Sequence, residues 1–328
     1  MNRISKAFED KKAFIPFITA GDPNLEKTEE FILEMEKAGA ALVEIGIPFS
    51  DPIAEGPVIQ EANIRSLSGG CTTDKIFDMV SSLRKKTDIP LVFMGYANSL
   101  YKYGYERFCA KCQEIGIDGL IIPDIPYDEK DELAPIAEKY GMYLISMIAP
   151  TSEKRIRMIA KEAKGFIYVV SSLGVTGVRS EIKTDIESIV KSIKEVTDTP
   201  AAVGFGINTP EQVNKYTKIA DGAIVGSAII KIVAKYGGDA GKYIYDYVKE
   251  MFPCYRRGHQ GHSISMGPAT AEAPYINASE TRPLEAGMIL AMEVPCYIDG
   301  VNGFNIEDMV LITEDGCEVL TPNTPHYL

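Results

Sequence analysis

The sequence predicts an α/β fold, a (β/α)₈ barrel, followed by a smaller unit of different character. Strand-length apolar runs recur eight times within residues 1–251, helical segments separate them, and the runs are apolar on both faces. Runs of that kind suit parallel strands covered by helices. Eight βα units over about 250 residues make a closed barrel, whereas a doubly wound sheet more often stops at about five or six strands.

The runs are Phe14 to Thr19, Leu42 to Ile47, Leu91 to Tyr96, Leu120 to Ile125, Tyr143 to Ile148, Phe166 to Val170, Ala201 to Phe205 and Ala223 to Val225. Between them the apolar period changes to that of a helix, with Ile76, Val80 and Leu83 as one stripe and Ile186, Ile189, Val190 and Ile193 as another. Cys109 and Cys112 form a CxxC inside the helical stretch Tyr105 to Glu114. Without a second pair, an ordinary helix face explains them better than zinc or redox chemistry. The composition changes near Met251: Lys249 is the last lysine, and ten acidic residues against three arginines follow from Phe252 onward. With strand-like stretches at Met288 to Met292 and Met309 to Thr313, this predicts a barrel domain over 1–251 and a second unit over 252–328.

Composition excludes several functions. The 328 residues are 45% hydrophobic and 24% charged, which is globular, and the net charge of -12 without a basic stripe argues against nucleic acid. No apolar run approaches the length of about 18 residues that spans a bilayer, and the polar start Met1, Asn2, Arg3 is unlike a signal peptide. The expectation is a cytoplasmic protein whose six cysteines are reduced.

All three histidines (His259, His262, His326) lie in the second unit, so the barrel must work without imidazole. Barrel active sites lie at the carboxyl ends of the strands. There Glu44 interrupts an apolar run, Leu42-Val43-Glu44-Ile45-Gly46-Ile47, and must point inward or be paired. A buried structural ion pair would suit it; a catalytic acid or base suits it better. The following segment, Pro48 to Pro57, carries Asp51, which reads as a turn residue, and Glu55, which could share acid and base duties with Glu44 if their surroundings differ. Gly204-Phe205-Gly206 follows the seventh run and Gly226-Ser227-Ala228 the eighth. Tight βα turns use such glycines, but two pairs at these strands also make a phosphate site of backbone amides and a helix N-terminus. The stretch Ser171 to Arg179 reads as a closing lid or a plain surface loop. No lysine ends a strand, which disfavours a Schiff-base aldolase. What remains is carboxylate acid/base chemistry on a small phosphorylated molecule; a sugar-phosphate isomerase and a non-catalytic activating subunit are the competing readings.

Residues 1 to about 251 resemble the tryptophan synthase α subunit family, through Pro16-Phe17-Ile18-Thr19-Ala20-Gly21-Asp22-Pro23, Glu44 through Pro52, Gly174-Val175-Thr176-Gly177, Gly204-Phe205-Gly206 and Gly226-Ser227-Ala228. The resemblance implies aldol-type cleavage of indole-3-glycerol phosphate to indole and glyceraldehyde 3-phosphate, a lyase step of tryptophan biosynthesis in an α2β2 assembly. No cofactor is implied for this chain; pyridoxal phosphate belongs to the β subunit. It also implies that Glu44 is the catalytic glutamate and that Glu55 holds the indole N–H, although the family's usual residue there is aspartate. Phe17 and Tyr168 then line the substrate pocket and Thr176 lies on the closing loop. Gly177, Gly206, Gly226 and Ser227, beside Gly204, hold phosphate, and Pro48, Phe49 and Asp51 face the β subunit. Glutamate is longer than aspartate by roughly 1.5 Å, so a compensating adjustment around Glu55 is expected.

The second unit resembles the C-terminal part of the creatinase and aminopeptidase P family, through Gly261-His262-Ser263-Ile264, Leu284 to Glu293 and Phe304-Asn305-Ile306-Glu307-Asp308. That implies a small α+β fragment of a pita-bread domain. The family's metal ligands fall on His262, Glu293 and Glu307, but its two aspartate ligands have no counterpart, Ala271 stands near the place of a second histidine, and Asn305 replaces an arginine. Three ligands do not build the usual dinuclear site. The expectation is a fusion or truncation remnant holding no metal and without peptidase activity.

Overall fold

The computed structural model describes residues 2–9, 12–171, 185–251, 261–263, 272–275, 283–298 and 302–322. The chain divides into two compact units, 1–252 and 253–328.

The first unit is built on nine parallel strands: β1 (Ala13–Thr19), β2 (Val43–Gly46), β3 (Leu91–Met94), β4 (Gly119–Ile121), β5 (Tyr143–Leu144), β6 (Ser146–Ile148), β7 (Ile167–Val170), β8 (Ala201–Gly204) and β9 (Gly222–Val225). Their order is β5-β4-β3-β2-β1-β9-β8-β7-β6. The two ends of that order, β5 and β6, are halves of a single predicted run, Tyr143 to Ile148. The first half pairs with β4 and the second with β7, while the Ile145 N–H between them donates to the Leu120 carbonyl at 2.8 Å. The barrel therefore closes through one strand that changes partners at its middle. The fifth strand is also the least covered: Tyr143, Leu144, Ser146 and Met147 are half-buried, whereas every residue of β1, β2, β3, β4, β7, β8 and β9 is buried.

Both helical stripes face the core. Ile76, Val80 and Leu83 are sealed on the helix Thr73–Leu83, and Ile186, Ile189, Val190 and Ile193 are buried on Ile186–Lys194. Cys109 and Cys112 are free thiols buried beside Phe108 and Ile115 on Tyr105–Ile115. Burial pushes both thiols up, away from reactivity. Polar side chains start several helices by accepting a backbone N–H, among them Asn24 from Lys27, Ser152 from Arg155 and Thr209 from Gln212. Among the described residues, no helix is long and apolar enough to cross a membrane.

A short 3₁₀ helix, Arg3–Phe8, lies at the amino end of β4, where Ile4 packs closely on Gly119. Asp118 ties this region together. Its carboxylate accepts from Arg3 Nη1, Arg84 Nη2 and the Leu91 N–H, each at 3.0 Å, and its carbonyl accepts from Asn2 Nδ2 at 2.7 Å. Burial lowers the Arg84 guanidinium to about 10, although Asp118 opposes the shift.

The second unit is an antiparallel sheet of β10 (Gly261–Ser263), β11 (Glu272–Tyr275), β12 (Ile289–Ile298), β13 (Asn302–Ile312) and β14 (Cys317–Val319), ordered β11-β10-β12-β13-β14. Both predicted strand-like stretches fall on the long β12–β13 pair, with Leu290, Ala291 and Val310 buried. Glu293 stands opposite Glu307, and His262 opposite Ala291. Their side chains lie outside the described residues.

Removing a buried partner leaves the opposite charge uncompensated, which costs about 3–5 kcal/mol. Asp118→Ala is therefore expected to lower the unfolding free energy by that order. A urea titration checks it, and a loss below about 1 kcal/mol, the value of an exposed pair, contradicts this account of the barrel floor.

Candidate active site

Parallel register places Phe17 of β1 beside Glu44 of β2, and Glu44 beside Val92 of β3. Glu44 is 1% exposed. It faces a narrow cavity inside the barrel, shared with Phe17, Met94 and Tyr168 from three other strands and with Ile59 from the helix Pro57–Ser68. Its Oε1 finds no hydrogen-bond partner among the described residues. Loss of water raises its ionisation to about 8, and no donor or cation among the described residues offsets it. The buried Tyr168 hydroxyl is pushed well above its ordinary value, first by burial and then by the charge of Glu44. A Cβ on Gly204 would collide with the Tyr168 phenol, so Gly204 serves the cavity by leaving room for that ring.

The cavity's other side is backbone. Phe205 takes a left-handed φ of +73°, uncommon for a bulky side chain, and Gly206 follows at +88°. Such a conformation costs about 1–3 kcal/mol and persists where the surroundings enforce it. Here the Ser171 hydroxyl donates to the Phe205 carbonyl, and the Phe205 ring stands edge-on to Tyr168 with centroids 5.9 Å apart. Gly206, Gly226 and Ser227 line the cavity. The last two open the helix Ser227–Tyr236, whose start carries no side-chain cap. Uncapped amides at a helix N-terminus favour an anion. A second, larger cavity of about 340 Å³ borders the first through Phe205 and takes in Ala54, Ile122, Met147 and Val170.

Glu55 is 4% exposed but does not line the Glu44 cavity. It precedes the helix Pro57–Ser68, and Asn63 Nδ2 on that helix donates to its Oε2 at 2.7 Å. Burial raises its ionisation to about 7, against the downward pull of the Asn63 bond. The loop before it is held by Tyr96, whose hydroxyl accepts the Ala54 N–H at 3.1 Å and whose ring stacks on Phe49. Asp51 is exposed and accepts from the Ser50 hydroxyl.

Of the predicted site residues, then, Glu44, Phe17, Tyr168, Gly206, Gly226 and Ser227 share one cavity, Gly204 backs it, and Glu55 is buried apart from its lining. Thr176 and Gly177 lie outside the described residues. Sequence reasoning missed Asn63 and Tyr96. The signal for the first was an asparagine four residues after Ile59 and one after Ala62, on the face that the helix buries; an ordinary aromatic after β3 offered none for the second. Among the described residues, no group of three or more His, Cys, Asp or Glu is arranged to hold a metal ion.

Comparison with known proteins bears on this arrangement directly. The family described as "Tryptophan synthase alpha chain" matches residues 4–251, and "Metallopeptidase family M24" matches residues 192–314. The tryptophan synthase alpha chain of Lacticaseibacillus casei is 48% identical over 251 residues, covering 76% of this chain and 94% of the relative. That of Alkaliphilus metalliredigens is 51% identical over 222 residues, 68% of this chain and 84% of the relative. Among solved structures, the alpha chain from Legionella pneumophila superposes with a TM-score of 0.69 at 36% identity, covering 76% of this chain and 96% of that one. A chain of the tryptophan synthase complex from Pyrococcus furiosus superposes with a TM-score of 0.68 at 33% identity, covering 74% and 98%. With a family match spanning most of its length, a barrel of the same architecture and a buried carboxyl at the centre of that barrel, the chain belongs to the tryptophan synthase alpha chain family.

Proposed function

We propose that the barrel, residues 1–251, cleaves indole-3-glycerol phosphate to indole and glyceraldehyde 3-phosphate, with Glu44 as the proton-transfer group. The observation that carries this reading is a carboxyl group whose Oε1 meets no hydrogen-bond donor among the described residues, in a cavity also lined by Gly206, Gly226 and Ser227, the last two at an uncapped helix start. Its high ionisation keeps Glu44 largely protonated at neutrality, the state a general acid requires. Glu44 gives its proton to indole C3. The resulting carboxylate takes the proton of the adjacent glycerol hydroxyl, the carbon–carbon bond breaks, and its electron pair returns to the indole ring. Aldehyde and indole leave and Glu44 ends protonated, so one group serves both transfers. Glu55, ionising near 7, accepts the indole N–H as a carboxylate and steadies the cationic ring of the intermediate. Gly206, Gly226 and Ser227, with Gly177, take the phosphate and Thr176 contacts the substrate, while Phe17 and Tyr168 flank the ring and Gly204 gives Tyr168 its room.

The same reading makes this chain the α subunit of an α2β2 assembly in the cytoplasm, supported by its similarity to a chain from the tryptophan synthase α2β2 complex of Pyrococcus furiosus. Indole passes to the β subunit, where pyridoxal phosphate resides, and exposed Asp51 with Pro48 and Phe49 faces that partner. Residues 252–328 read as a fusion or truncation remnant without peptidase activity.

Indole release from indole-3-glycerol phosphate, measured with a β subunit present, tests the assignment. Glu44→Gln is expected to lower kcat by about a hundredfold or more, as loss of a general acid does; full turnover would overturn it. The pH dependence follows from the two carboxyls. Activity needs Glu44 protonated and Glu55 ionised, so kcat falls above about 8 and below about 7, a narrow bell.

Stability carries a second signature. In the unfolded chain the Glu44 carboxyl ionises near 4.5, but in the barrel only near 8. Both states are protonated below the first value. Between the two the unfolded state alone is ionised, so the folded state loses ground steadily as pH rises. Glu44→Gln removes that penalty. Its melting temperature is expected to exceed the parent's near pH 8 and to approach it near pH 5, and an equal difference at both pH values would contradict the uncompensated burial of Glu44.

A further inference from the structure

We infer that Asn63 is a positioning residue for the reaction, gripping one oxygen of the Glu55 carboxylate so that the other is presented to substrate. The inference rests on the reading of Glu55 given above. Among the described residues, Asn63 is the one donor to that carboxylate, at 2.7 Å to Oε2, and it is itself 3% exposed. A donor so placed has no water to fall back on, so the bond fixes the carboxylate rather than decorating it.

The helix that carries Asn63 is pinned at its far end. Arg65 Nε and Nη2 grip Asp22 Oδ1 and Oδ2 at 2.8 and 2.7 Å, and the Ser66 hydroxyl donates to the Ala20 carbonyl at 2.6 Å, both in the turn after β1. Asp22 is 1% exposed and Ser66 fully buried. A bidentate pair allows neither sliding nor rotation of the helix. One turn before Asn63, on the same face, Ile59 lines the Glu44 cavity. Asn63 is thus held in register with the wall of the reaction site, and Gln60 of that helix donates to the Glu55 backbone carbonyl at 2.7 Å. Chain length matters here. An aspartate at position 55 would end roughly 1.5 Å short, beyond the reach of Asn63 Nδ2, so Glu55 and Asn63 form a matched pair.

The test is steady-state indole release by the full chain with a β subunit, over a range of pH. Asn63→Ala is expected to lower kcat by about ten- to hundredfold, the order seen when a reacting group is displaced by about 1 Å. KM should change by less than about threefold, because the phosphate end is untouched. The Asn63 bond favours the ionised form of Glu55, so its loss moves the acidic limb of the profile to higher pH and leaves the alkaline limb of Glu44 in place. Asn63→Asp keeps the side chain's shape but replaces the donor with a second carboxylate, and should move that limb further in the same direction. Glu55→Asp should lose activity on the scale of Asn63→Ala, with little further loss in the double variant. A limb unmoved in both Asn63 variants, while Glu55→Gln is inactive, overturns the inference and leaves Glu55 in its role. Full turnover in Glu55→Gln overturns the reading of Glu55 itself.

Discussion

A carboxyl group walled off from water, with no donor for its Oε1 among the described residues, is the constraint around which the barrel's interior is arranged. Glu44 occupies a position where a valine or isoleucine would pack without penalty, and neither cation nor donor meets its Oε1 among the described residues. Such a group is tolerated only because the frame around it is over-determined: strands β1 to β4 and β7 to β9 are buried throughout, and Asp118 locks the amino ends of β3 and β4 to Arg3, Arg84 and Asn2. The left-handed Phe205, at the end of β8, is a second case of the same exchange, with Ser171 and Tyr168 enforcing a backbone that a phenylalanine does not choose alone.

Much of this was legible in the sequence because it depends on residue type and spacing. Doubly apolar runs mark buried parallel strands, and one glutamate inside such a run has few places to go. Glycines after the last two strands mark backbone that must approach something closely. What escaped depends on three-dimensional partnership. Nothing in Tyr143 to Ile148 marks Ile145 as the residue at which a strand leaves one neighbour for the next; that is decided by the closure of the whole sheet. Asn63 reads as one polar residue on a helix until the carboxylate eight residues earlier is seen to fold back onto it. Glu55, expected over the same pocket as Glu44, is buried but outside the lining of that cavity, because its place is set by the loop that Tyr96 holds.

The second unit poses a different physical problem. Among the described residues, its longest pair, β12 with β13, buries Leu290, Ala291 and Val310. Among the described residues, β11 and β14 are the outer strands of its five-stranded sheet. The metallopeptidase match begins at residue 192, within the barrel, and ends at 314. Its first part therefore covers residues that are already barrel helices and strands. Within it, β8 and β9 pair in parallel with β7, with each other and with β1 of the barrel.

Without histidine, a catalyst working near neutral pH must draw its acid and base from groups whose intrinsic ionisation is far too low. Burial is the lever available to a carboxyl, and it is applied here in two strengths. Glu44 receives burial alone and rises to about 8; Glu55 receives burial opposed by one donor and rises to about 7. Lesser burial and one amide donor at Glu55 together separate a group poised to give a proton from a group poised to hold a positive ring. A site of this design therefore depends as much on the residue that donates one hydrogen bond as on the carboxylates that carry the chemistry.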